Sequence, residues 1–287
     1  MADGYWERYA RMRSGRRRFV AGSGMAGLGA AGLALVGCGD DDDEGGDATA
    51  APTQAGAQPT AAEKPKVGGT ARYPIFGISS GDPPTLYPYE NISYQVQTIS
   101  GYHYSRLLRG ASGPDIGITE FPAVEGDLAQ KLPEQPDNLT YIFKLKPNIT
   151  FHDKAPMNGR AATAQDFAAT WDFFKAQAIN RARFDAVIDK LEATDATTIK
   201  ITLKAPNAPF ITNGAASDQG IWFIPIETIN NDQYKSDPVG SGPFLFRAWE
   251  SGVRMAWDRH PKWYDGPKPY FDGIEAAPMN DIQRRLV

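Results

Sequence analysis

A single cysteine in 287 residues, Cys38, rules out an intrachain disulfide as the device that holds this fold together. The chain must therefore stabilise itself on packed apolar surface. Cys38 closes the run Leu35-Val36-Gly37-Cys38, after an apolar stretch from Phe19 that follows Arg16-Arg17-Arg18. A positive segment, an apolar segment and a small residue before a cleavage point make residues 1–37 an export signal. The cysteine just after that point is expected to carry lipid.

Arg16-Arg17 followed by Phe19 resembles the twin-arginine export signal, with Arg16, Arg17 and Phe19 as the residues read by the export machinery. Six glycines dilute the stretch from Phe19 to Gly37 below what a membrane-spanning helix of ~20 apolar residues requires. Gly22-x-Gly24-x-x-Gly27 has dinucleotide-binding spacing but follows arginines, where that motif follows a strand. Residues 38–66 run from an aspartate cluster into Ala, Thr, Gln, Pro and Gly. Such a composition buries too little apolar surface to fold, so the segment is expected to be a disordered leash. Asp40 to Asp43 are not followed by a glycine turn and a distal glutamate together at the spacing of a calcium loop. Without residues 1–37 the chain keeps 24 basic against 32 acidic residues, a net charge of −8, which argues against nucleic acid as a partner.

From Val67 the patterns change to those of a packed domain. Thr163 with Asp166 three residues on predicts a helix start, and Phe167, Trp171 and Phe174 then share one face of that helix. Ile199, Ile201 and Leu203 alternate with polar residues, as do Tyr141, Phe143 and Leu145, and both runs predict half-buried strands. Val253, Met255 and Trp257 predict a third, joined through Glu250-Ser251-Gly252 to a strand over 244–249. The expectation is a mixed α/β domain with antiparallel hairpins.

Several blocks in order resemble the family 5 extracellular solute-binding proteins, the peptide-, oligopeptide- and nickel-type receptors of ABC importers. They are Asp82-Pro83-Pro84-Thr85-Leu86-Tyr87-Pro88, Leu139 to Lys146, Phe151-His152-Asp153-Lys154, Pro238-Val239-Gly240-Ser241-Gly242-Pro243-Phe244, Arg259 to Tyr264 and Lys268 to Ile274. Lys154 departs from the glycine usual in its turn, and Tyr87 from the usual aspartate. The resemblance implies a type II periplasmic-binding-protein clamshell in which 67–287 form the first lobe with an inserted subdomain, the second lobe being absent and the chain truncated. It implies a lipoprotein outside the cell membrane that captures peptides or a related solute and passes it to an ABC permease, with one lobe alone expected to bind weakly. A tethered solute sensor without a transport role is the alternative. It places Ser93 and Tyr94 beside the ligand cleft, with Trp222 as an aromatic wall.

No cofactor, metal or catalytic residue is expected. His103, His152 and His260 stand far apart in sequence, and the nucleophile-elbow and zinc-protease patterns are missing.

Overall fold

The computed structural model describes residues 65–75, 81–113 and 123–278. Cys38, the export residues Arg16, Arg17 and Phe19, and the leash up to Lys64 lie outside the described residues.

Two strands rich in aromatic and aliphatic residues, Phe244–Glu250 (β7) and Arg254–Arg259 (β8), form an antiparallel hairpin whose turn is eased by Gly252 at φ +73°. Val253, expected in the buried run, is 60% exposed because the turn needs it and pairing starts only at Arg254. Gly273–Pro278 (β9) lies antiparallel to β8, and Thr70–Ile75 (β1) lies parallel to β9, giving the order β1-β9-β8-β7. One face of this sheet is buried: Phe244, Phe246, Met255, Trp257, Ile274 and Ala276 pack with Leu86 and with Ile99 of helix Tyr94–His103 (α1). The other face carries exposed ion pairs, Arg72–Glu275 at 3.0 Å and Arg247–Asp258 at 2.8 Å. Pairs this open to water add little stability but keep that face soluble.

A second sheet holds Thr140–Lys144 (β4), Ile188–Asp195 (β5) and Thr198–Leu203 (β6) in antiparallel order β4-β6-β5. Tyr141, Ile201 and Leu191 stand opposite one another across it, as do Phe143, Ile199 and Ala193, so the alternation read from sequence becomes two apolar rows on one face. Helix Ala164–Gln177 (α2) covers β5 and β6. Its start is a capping box: the Asp166 N–H donates to Thr163 Oγ1 at 3.4 Å, and the Thr163 N–H donates to Asp166 Oδ2 at 2.8 Å. Phe167, Trp171, Phe174, Ile199, Ile201 and Leu203 are all buried, as their spacing predicts. Helix Arg181–Asp185 (α3) leads into β5, and a π-helical turn at Phe210–Ala215 follows β6.

A short hairpin of Leu108–Gly110 (β2) and Val124–Gly126 (β3) is bound to the segment after β8 by Arg109, which meets Glu125 at 2.8 Å and Asp265 at 2.6 Å. Burial opposes its charge, but Asp127, Asp265 and Glu125 outweigh that and raise the guanidinium pKa further.

The loop Gly240-Ser241-Gly242 runs against the end of α1. A side chain at Gly240 would stand 2.1 Å from the His103 carbonyl oxygen, and one at Gly242 would stand 2.6 Å from the His103 carbonyl carbon. Close approach, and not a positive φ, is what requires glycine at both positions.

Candidate functional site

The candidate surface is built from the segment 86–93 and the start of α1. Thr85 Oγ1 accepts from the Tyr87 N–H at 3.1 Å and Asn91 Oδ1 from the Ser93 N–H at 2.8 Å, two side-chain turns that set the path of the chain. Four carbonyl groups of the segment accept from donors outside it. Gln97 Nε2 donates to Pro88 O at 3.0 Å and to Asn91 O at 2.8 Å, the Ile179 N–H donates to Tyr89 O at 2.8 Å, and Gln219 Nε2 donates to Ile92 O at 3.1 Å. Satisfied backbone acceptors on the inner side leave the outer side free for side chains.

Ser93 and Tyr94 occupy that outer side. Ser93 is the N-cap of α1, its hydroxyl oxygen 3.5 Å from the Val96 N–H, and Tyr94 is 70% exposed. Behind them Tyr102 packs edge-on against Tyr73 of β1, ring centroids 6.0 Å apart, and against Trp257 at 5.2 Å. Burial raises the pKa of the Tyr102 phenol, and the nearby Tyr94 adds to the shift.

Trp222 is not part of this surface. It is 2% exposed, and its indole N–H donates to Gln97 Oε1 at 2.7 Å while its carbonyl accepts from Tyr89 Oη at 2.5 Å. The Arg106 guanidinium covers the ring at 4.4 Å and pairs with Asp218. Trp222 thus holds the glutamine that holds the loop, and the expectation of an aromatic wall gives way to a buried brace. Sequence reasoning also missed Gln97 and Gln219, because an isolated amide carries no motif.

With this geometry in place, similarity to known proteins decides the family. Residues 123–287 match the family model described as bacterial extracellular solute-binding proteins, family 5 Middle. The chain belongs to the family 5 extracellular solute-binding proteins. It is 29% identical over 203 residues to the glutathione-binding protein GsiB of Pectobacterium atrosepticum, covering 70% of this chain and 37% of that one. It is also 29% identical over 215 residues to the probable D,D-dipeptide-binding periplasmic protein DdpA of Escherichia coli, covering 72% and 40%. The chain thus spans about two fifths of the length of these relatives. Among solved structures it resembles the periplasmic binding protein DppA of Helicobacter pylori in complex with the peptide STSA, with a TM-score of 0.64, 21% identity and coverage of 77% and 44%. It resembles the oligopeptide-binding protein AppA of Bacillus subtilis with a TM-score of 0.62, 21% identity and coverage of 77% and 42%. These are type II periplasmic binding proteins, and at such identity they show the fold.

In this family 5 chain the three histidines, far apart in sequence, converge in the interior at 0%, 0% and 3% exposure. His152 uses both ring nitrogens on the glycine loop: Nε2–H donates to Gly242 O at 3.1 Å, and Nδ1 accepts from the Gly240 N–H at 3.2 Å. His260 Nδ1 meets the same carbonyl at 3.1 Å, and His103 Nδ1 accepts from the Trp257 indole N–H at 3.3 Å. These rings brace the backbone and are sealed from any surface ligand. Among the described residues no three His, Cys, Asp or Glu side chains are grouped to hold a metal ion. Both departures from the family pattern have structural partners. Lys154 pairs with Asp237 and donates to Phe246 O at 3.0 Å, and Tyr87 joins an aromatic cluster with Tyr89 and Tyr234.

Proposed function

We propose that this chain is the solute-contacting first lobe of a lipid-anchored receptor for an ABC importer, and that its ligands are short peptides or closely related solutes. The observation that carries the reading is the braced segment 88–94: in a family of extracellular solute-binding proteins it presents Ser93 and an exposed Tyr94 on a backbone held rigidly from behind. A ring on a fixed helix start offers contact area at small entropic cost, and the Ser93 hydroxyl with the first-turn N–H groups suits a carbonyl or carboxylate oxygen of a peptide. The names of GsiB and DdpA, with the STSA complex of DppA, support a peptide-sized ligand. Closure on the ligand and docking on a permease then follow as for any clamshell receptor.

Calorimetric titration of the chain with tripeptides, glutathione among them, tests the ligand class. Binding is expected, and Tyr94→Ala should weaken it about tenfold, the worth of one good aromatic contact. If no peptide binds, or if Tyr94→Ala binds as the parent does, the reading fails. The anchor rests on Leu35-Val36-Gly37-Cys38. Intact-mass analysis of membrane-extracted protein should show a lipid-modified N-terminal Cys38, and a Cys38→Ala variant that is still processed and membrane-bound would contradict it. Export by the twin-arginine route should stall in an Arg16→Lys, Arg17→Lys double variant.

A further inference from the structure

The second sheet carries a cavity of about 170 Å³ that plays no part in the surface around Tyr94. Its walls are Phe184 of α3, Val187 and Ile188 at the start of β5, and Phe210 of the π-helical turn, with Arg183 and Asn213 at the mouth. A smaller void shares Phe184, Ile188 and Phe210 and continues inward to Phe167 and Ile201.

Three features around Phe210 border this space. The wide π-helical turn sets Phe210 apart from α3, and turns of this kind are frequent at functional sites. Phe210 is held to the far side by Tyr141, ring centroids 4.8 Å apart. Gly214 lies flush against the Phe210 ring, where a Cβ would stand 2.7 Å away, so no side chain from the turn fills the gap. At the mouth Arg183 donates to Asn213 O at 2.9 Å and lies 5.7 Å from the Phe184 ring centroid, and among the described residues no carboxylate pairs with it.

The size and lining specify the occupant. A dry cavity of ~150 Å³ takes benzene, so this one accepts an aromatic ring or a chain of about six carbons. The guanidinium at the mouth, with donors left over and no carboxylate partner among the described residues, calls for a carboxylate. We propose that this cavity binds a small amphipathic carboxylate, its apolar body against Phe184, Ile188 and Phe210 and its carboxylate on Arg183. The proposal is independent of the solute reading above, because it shares no residue with the Ser93–Tyr94 surface. The π-helical turn does run directly into the segment that carries Gln219 and Trp222, so an occupant would stiffen the brace of that surface.

The test is methyl-resolved NMR on the full chain titrated with phenylacetate, toluene or acetate. Phenylacetate should shift the methyl signals of Val187 and Ile188 and saturate on the order of millimolar, as a ligand of about ten heavy atoms allows. Acetate should leave them in place. Arg183→Ala should weaken phenylacetate about tenfold and leave toluene unchanged, while Val187→Phe should fill the space and abolish both, its other methyl signals reporting an intact fold. The proposal is overturned if phenylacetate moves no methyl or moves methyls elsewhere. Equal binding of phenylacetate by Arg183→Ala and the parent would also overturn it, leaving a void without a carboxylate site.

Discussion

His152 is locked neutral by its own hydrogen bonds. Its Nδ1 accepts from the Gly240 N–H, so a second proton would set two donors face to face in a dry interior. Burial first, then the neighbouring His260 ring, holds its pKa down to about 3, against the opposing pull of the Gly242 carbonyl. His103 lies well below the ordinary histidine range, again through burial and then His152 and Lys154, and His260 is lowered by burial, partly offset by its bond to Gly242. Folded values below the unfolded ~6.5 mean that the unfolded chain takes up the protons. The stabilisation is complete above about pH 6.5 and is lost as the pH falls towards 3. Chemical denaturation between about pH 6 and pH 4.5 should therefore show stability dropping by up to ~1.4 kcal/mol per pH unit for each histidine. His152→Asn, which can still accept from Gly240, should remove one proton from that slope. A flat profile over this window would show that the histidines are not sealed as described. None of this was legible in the sequence, where the three residues are separated by 49 and 108 positions, and only the fold reveals that they meet at one glycine loop, His152 and His260 through their rings and His103 through its carbonyl.

At the scale of elements, legibility followed the strength of the periodic signal. Helix α2 carries a capping box and an aromatic face, and β4, β6 and the β7–β8 hairpin alternate cleanly, so each could be read directly. Helix α1 could not, because Tyr-Gln-Val-Gln-Thr-Ile-Ser-Gly-Tyr-His is rich in β-branched residues and holds a glycine, all poor helix formers. Tertiary contacts supply what propensity lacks: Gln97 and Ile99 are buried against Trp222 and the first sheet. The same contacts make Trp222 a brace, where an aromatic wall was expected. Trp222→Phe keeps most of the volume and deletes the donor to Gln97, leaving a buried amide oxygen unpaired at a cost of about 1–3 kcal/mol. Thermal or denaturant unfolding should register that loss. An unchanged midpoint would mean that the indole stands at the surface, as a ligand wall would.

Across the described residues the strands form three sheets, the glycine loop ties the end of α1 to His152 and His260, and α1 with its braced start packs on the four-stranded sheet. The acidic balance of residues 38–287, net −8, suits a solute receptor better than a polyanion binder. Everything in the proposed function then turns on whether solute meets this chain at the segment 91–94. Photoaffinity labelling of the intact chain with a diazirine-bearing tripeptide, read by peptide mapping, measures that contact even when binding is weak. The account predicts adducts concentrated at Asn91 to Tyr94, suppressed by excess unlabelled tripeptide and lost in Tyr94→Ala. Competable adducts concentrated elsewhere, with Asn91 to Tyr94 unlabelled, would contradict it.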